Sequence, residues 1–484
     1  MRYATAVTAY GLAESIALTL IPVNHFSLQH NIGQRVTNCK KNTKDKMTTD
    51  SRPLLPQRII RPYRNISVAD RIWLATISIA NGLPFAFIFL LLVMFKRMGL
   101  NNTTVTFNIS WLCLPFMLRP FCHLLFKRVG WSKEVWILTS ELVIAVLLLL
   151  MSEALGSDYW FQYIMLLLFA LSVATTIHNV VAESKYKYIT INPYPVMLRP
   201  MFVVYHSLAA LFGLGVLSML AGNLEVVTRN VSYAWTFVLR LAAGVYAVLW
   251  LYHLIRIWRT DTDDAPTIDM GSIATWREMM HTLRLFFGKK SVTIGPVFFL
   301  LYLLPQGFTA MVMSLFLIDS AHRGGLGLSP QEYALTQGTV GVIGMSVGSL
   351  LCIRLLKRYR TAKSIVPMSF ANLLPALMGM ALSHLASASL LAVNVCMFVG
   401  NMGLGFSITA CVSFLAYYSC GKYKHVFYSI GIALFFFSCA ASSIYSGAIQ
   451  RYYGYPVYFV LAFAFSFVSV IVAVVLKRIC FRRN

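Results

Sequence analysis

From about residue 70 onward the chain is a succession of apolar runs separated by short polar stretches. A run of about 20 apolar residues, wound as a helix, is long enough to cross a hydrocarbon core of about 30 Å. Twelve such runs can be counted, at 72–95, 104–126, 134–154, 159–183, 200–222, 233–257, 293–318, 332–355, 364–386, 388–416, 426–447 and 456–478. The pattern predicts an all-α integral membrane protein of about twelve transmembrane helices.

Two stretches break it. Residues 1–70 are polar and basic with no periodic apolar face, and are expected to form a cytoplasmic segment with little fixed structure; a translation start at Met47 remains an alternative. Between Arg259 and Lys290 lies the one long polar interruption. Its second half spaces Ile273, Trp276, Met279, Met280, Leu283 and Phe286 as one helical face, which predicts an amphipathic helix on the cytoplasmic membrane surface. The division is therefore 71–258, a linker at 259–290, and 291–484, with six spans on each side. The halves also echo each other: "MGLNNTTVTF…LLFKRVG" is matched by "LGLSPQEYAL…RLLKRYR", and Pro84 and Pro305 lie at comparable depths. An internal repeat of this kind predicts two six-helix bundles.

Composition agrees, at 58% hydrophobic and 12% charged residues with a mean hydropathy of +0.68. A net charge of +24 would suit nucleic acid, but the basic residues fall in alternate loops. Lys127, Arg128 and Lys133 follow the second span, Lys185 and Lys187 the fourth, and Arg354, Lys357 and Arg358 the eighth. Such alternation is a topology signal. It excludes nucleic acid as partner and places both termini in the cytoplasm, with the cytoplasmic (inner) membrane as location. The nine cysteines show no C-x-x-C spacing, so no metal site or cofactor is indicated.

Within this frame, "NGLPFAFIFLLLVMFKRMGLNNTTVTFNISWLCLPFMLRP" (Asn81 to Pro120) resembles the opening of AmpG-like muropeptide permeases and their relatives in the major facilitator superfamily. The matching positions are Gly82, Leu83 and Pro84, then Gly99, Leu100 and Asn101, then Leu114, Pro115, Arg119 and Pro120. Those relatives often carry a His-Asp pair in helix four, where His178 and Asn179 stand. The resemblance implies a transporter, monomeric, moving a small-molecule solute such as a sugar-peptide cell-wall fragment through a cavity ringed by helices one, four, seven and ten. Departures accompany the matches. Asn81 and Asn179 replace acids of the relatives, and Lys127 stands where their loop aspartate would be. If those acids carry protons there, this chain uses others or is not proton-coupled.

Candidate residues follow. In helix four Ser172, Thr175, Thr176, Asn179 and Glu183 share an arc about 100° wide, a polar stripe that must face protein or a water-filled cavity. Helix packing is the plainer reading, cavity lining the sharper one. Asn81, Thr175, His178, Asn179, Gln306, Asn394 and Asn401 are the expected solute-lining set, with Arg119 as anion anchor. Glu141, about mid-depth in the third span, is the candidate proton carrier with His178, unless Arg119 or Arg240 locks it in an ion pair. Glycines at Gly338, Gly341, Gly344 and Gly348 read as close helix packing. Two rival functions stay open: a transporter-derived sensor or scaffold, and a prenyltransferase using Asp261, Asp263 and Asp264 for a metal-bound diphosphate. The second lacks a companion acidic motif.

Overall fold

The computed structural model describes residues 68–190, 200–258, 275–288, 294–358, 361–385, 388–419 and 423–480. The expected unstructured segment at 1–70, apart from its last three residues, and the acidic cluster at 261–264 lie outside the described residues.

Twelve helices among the described residues are long and apolar enough to span a membrane. In the first half they are α1 (Arg71–Arg97), α2 (Asn102–Val129), α3 (Lys133–Ala154), α4 (Trp160–Glu183), α5 (Pro200–Thr228) and α6 (Val231–Ile257). A short linker helix follows, α7 (Trp276–Phe287). The second half holds α8 (Gly295–Ile318), α9 (Pro330–Leu356), α10 (Ser364–Ser383), α11 (Leu390–Tyr418), α12 (Lys424–Ser443) and α13 (Ser446–Ile479). No strand occurs among the described residues. The end of the molecule that carries the basic loops is called the basic end below, and the opposite one the far end.

Local chemistry explains the repeat seen in the sequence. Gly99 and Gly327 both adopt a left-handed conformation, with φ of 89° and 68°, which a glycine enters without the Cβ clash of other residues. Each is followed by Leu and then by an N-cap, Asn101 for α2 and Ser329 for α9. Ser329 and Glu332 complete a capping box with Pro330 in the first turn. Prolines interrupt the spans unevenly. α1 stays helical through Pro84, whereas α2 is broken into short helical pieces at Leu114–Met117 and Arg119–Phe121 and α8 is broken at Leu303, ahead of Pro305.

Packing has the polarity of a protein dissolved in lipid. Leu166, Val248 and Leu391 are exposed, while Glu141, His178 and His253 are completely buried. Hydroxyls are satisfied within their own helices: Thr175 and Thr176 donate to the carbonyls of Leu171 and Ser172 at 2.8 Å and Ser172 to Phe169 at 2.9 Å. Much of the helix-four stripe is thus bonded to its own backbone.

The last span, expected at 456–478, follows a sharp break at Gly454, where φ is 75° and ψ 169°; a short helical piece from Ser446 precedes that break and is counted within α13. The linker helix, expected to be amphipathic, packs its apolar face on protein: Met279 and Phe286 are fully buried, and the Tyr418 hydroxyl donates to the Phe286 carbonyl at 2.5 Å. Trp276, though exposed, stacks on Phe121 of α2 with ring centres 5.5 Å apart.

Candidate solute pathway and its closures

The two halves meet along two lines, α2 against α12 and α5 against α9. Along the second, bare backbone does the packing. α5 and α9 each carry a π-helical stretch, at Leu211–Val216 and Ala334–Gly341, and these face each other at Gly215 and Gly338. A Cβ on Gly338 would stand 2.6 Å from the Gly215 nitrogen, so only glycine permits this approach. Gly338→Ala is expected to lower stability by about 1–3 kcal/mol, the usual cost of overpacking. Gly244→Ala, where a Cβ meets nothing within 4 Å, serves as the neutral control. Thermal melting of the purified variants checks both.

Along the first line the contacts are polar at the far end. Lys96, closing α1, pairs with Asp319 just beyond α8 at 2.7 Å, with side chains only 5% and 4% exposed. The Asn102 amide donates to Asp319 at 2.7 Å, to Gln450 at 2.9 Å and to the Tyr455 hydroxyl at 3.0 Å, while its oxygen accepts from Lys96 at 2.6 Å. Tyr455 in turn donates to Asp319 at 2.7 Å. Below this clasp Ser110 bonds Ser443 at 2.6 Å. Burial pushes the Asp319 carboxyl up, but hydrogen bonds from Lys96, Tyr455 and Asn102 outweigh it and hold the group below its usual range.

Midway, Phe116 of α2 stacks on Phe436 of α12 at 4.6 Å, with Phe85 of α1 against both. A mostly apolar pocket lies beside it, lined by Phe87, Phe116, Ser172 and Thr175 among others. Toward the basic end, Arg119 pairs with Glu183 of α4 at 2.5 Å and donates to the Asn179 oxygen at 3.1 Å. His123 bonds Ser429 of α12 at 3.0 Å.

The chain is similar to several solved structures. One is a variant of the nucleoside transporter NupG, with a TM-score of 0.62 and 15% identity over 84% of this chain and 99% of that one. Another is the E. coli fucose:proton symporter FucP, at 0.60 and 12% over 84% and 98%. A further structure of FucP, described as a major facilitator superfamily transporter in the outward conformation, gives 0.59 and 12% over 84% and 99%. The fold is that of the major facilitator transporters. No protein-family model matches the chain, and no curated protein matches it in sequence.

Within this major facilitator fold the sequence candidates separate into groups. Arg119 and Asn179 are brought together, around Glu183. Glu141 and His178 are also joined, at 3.2 Å, but His178 turns into the first half toward α3 and away from the Arg119 group. The cations expected beside Glu141 are elsewhere: Arg119 is on Glu183 and Arg240 on the exposed Glu153 at 2.8 Å. In the second half Gln306 donates to the backbone and side-chain oxygens of Asn372 at 2.9 and 2.6 Å. Asn401 bonds Gln337 of α9 at 3.3 Å, so these residues do not converge on one point. Three of the set, Asn81, Gln306 and Asn394, leave an amide oxygen buried with no partner, as do Arg119 at Nε and Glu183 at Oε1. A buried polar atom without a partner costs about 1–3 kcal/mol.

Sequence reasoning missed His253, which bonds both Glu141 oxygens at 2.8 Å, and the Lys96–Asp319 clasp. Lys96 read as a loop charge. The available signal was a charge shortly before the glycine that closes the same turn in each half, Lys96 three residues before Gly99 and Asp319 eight before Gly327.

Proposed function

We propose that this protein is a secondary transporter that moves a small polar organic solute across the cytoplasmic membrane by alternating access, between bundles formed by 71–258 and 291–484. The observation that carries this reading is the buried ion pair joining the halves at the far end. A hydrophobic pair of the same size would hold two permanently joined halves at least as well, whereas a buried charge pair suits a contact that must form and break. The unpartnered atoms of Asn81, Gln306, Asn394, Arg119 and Glu183 supply the polar lining, with Arg119 as anion anchor and Thr175, Asn179 and Asn401 nearby in the same helices. His178 is better read with Glu141 as a proton-handling pair.

The solute class has three candidates: a sugar-peptide fragment from the resemblance to AmpG-like permeases, and a nucleoside or a fucose-like sugar from the solved structures. Uptake of labelled anhydro-muropeptide, uridine and fucose into proteoliposomes, with and without an inward proton gradient, separates them. Gradient-stimulated uptake of one identifies a symporter; uptake indifferent to the gradient identifies a facilitator. Binding without uptake would overturn transport in favour of a sensor, the reading that Asn81 and Asn179 in place of acids also supports. The proposed orientation puts the basic end in the cytoplasm. An impermeant maleimide added to intact cells is expected to label Ser157→Cys and spare Lys424→Cys; the reverse result would invert the topology.

A further inference from the structure

Glu141 is fully enclosed between two histidines. His178 of α4 reaches its Oε1 through Nε2 at 3.2 Å. His253 of α6 sets Nδ1 at 2.8 Å from both oxygens, and its Nε2 meets the Thr76 hydroxyl of α1 at 2.9 Å. Thr76 is half-buried near the start of α1, at the basic end, and its hydroxyl lies 3.1 and 3.0 Å from the carbonyls of Ile72 and Trp73.

The Thr76 hydroxyl has one proton; while that proton is held in the helical back-bond to a carbonyl, Oγ1 is free to accept from His253 Nε2–H. On the other side Nδ1 sits equally close to both carboxylate oxygens. That arrangement suits an N–H shared by a carboxylate; a carboxylic acid would bring a single oxygen to the ring. In this arrangement an N–H on each nitrogen of His253 would find an acceptor, Glu141 on one side and Thr76 on the other. His178 can donate Nε2–H to the same carboxylate, and its Nδ1 is buried without a partner. So protonated, beside an ionised Glu141, the cluster is uncharged as a whole, as a completely buried group should be. Among the described residues no group of three or more His, Cys, Asp or Glu side chains is arranged to hold a metal ion.

On α6 Tyr246 donates its hydroxyl to the Ala80 carbonyl at 2.7 Å, and Arg256 lies one turn beyond His253 toward the basic end. On α1 Arg71 precedes Thr76 by five residues. Arg119 and Arg240 are held by Glu183 and Glu153.

We propose that Glu141, His178, His253 and Thr76 form a site for a single exchangeable proton, carried by His253 and released past Thr76 toward the basic end. On release the Nε2–H bond breaks and the proton passes to water beside Thr76. The Thr76 hydroxyl then turns from its carbonyl to donate to the bared Nε2, and the cluster goes from neutral to one negative charge. The site stands without reference to any solute; its use in driving transport rests on the reading given above.

Nitrogen NMR of the full-length protein in nanodiscs, labelled with ¹⁵N-histidine and with His253 assigned by loss of its signal in His253→Gln, tests this. At pH 7 His253 is expected to show two protonated nitrogens and His178 one. The imidazolium signal should be lost in Thr76→Val, kept in Thr76→Ser, and lost in Glu141→Gln. A neutral His253 in the parent protein, or an imidazolium that survives Thr76→Val, overturns the proposal. Thermal melting shows that each variant is folded. Because the NMR signal decides the proton site and gradient-driven uptake decides the transport reading, the failure of either is recognised separately.

Discussion

Asp319→Asn is expected to unfasten the far end of the molecule. The substitution keeps the shape of the side chain but leaves the Lys96 ammonium buried with no counter-charge, and removing one partner of a buried pair costs about 3–5 kcal/mol. If that cost falls on the closed arrangement alone, the closed-to-open ratio drops by a factor on the order of 10² to 10³. The hydroxyl pair Ser110 and Ser443 lies directly behind the clasp. Ser110→Cys, shielded in the parent, should therefore react much faster with an impermeant maleimide in the Asp319→Asn background, read by mass spectrometry of the peptide holding residue 110. Unchanged reactivity would mean that the clasp does not hold the far end shut. Lys96→Met combined with Asp319→Leu, which removes both charges, should close it again.

The same clasp has a defined pH behaviour. Its carboxyl is held below the usual range, so the stabilisation is fully present above the unfolded value of about 3.9 and is lost only as pH falls through the lower folded value. Accessibility of residue 110, read as maleimide labelling of Ser110→Cys relative to the unfolded chain at the same pH so that the thiol's own titration cancels, is thus expected to stay flat from pH 8 to 5 and rise only in stronger acid. Any pH response of transport within the neutral range must arise elsewhere, and the Glu141 cluster is the place to seek it.

Arg119→Leu is the second large effect expected. Glu183 would remain, 6% exposed, as a lone carboxylate between helices, at a cost of about 3–5 kcal/mol. Arg119→Leu with Glu183→Leu should recover most of the lost thermal stability, because two apolar residues of that size pack without desolvated charge. If the pair also binds the solute, uptake stays abolished in the double variant although the fold is restored. A double variant that transports normally would reduce the pair to a packing element.

What the sequence conveys depends on whether the signal is local. The spans were legible because each is a single apolar run, and the repeat because Gly99 and Gly327 punctuate both halves at the same point. The short helical piece between Ser446 and the break at Gly454 was not, because it carries no apolar run of its own length to announce it. The helix-four stripe was correctly seen as buried polarity, but whether a threonine bonds its own backbone or lines a cavity depends on neighbours that no periodicity reveals. His253 is the clearest case. It is a lone histidine in an apolar run, 112 residues from the carboxylate it binds, and only the packing of α3, α4 and α6 together gives it a role.

The break at Gly454 governs helical phase. Gln450 and Tyr455 both reach the Asn102 amide, yet in an unbroken helix residues five apart point about 140° away from each other. Their convergence requires the turn between them, and the backbone angles of Gly454 lie in a region open almost solely to glycine. A side chain there would favour a continuous helix, swing one of the two partners off Asn102, and unlock the far end while leaving every bonding residue of the clasp in place. The convergence of the clasp on Asn102 thus depends in part on a residue with no functional group.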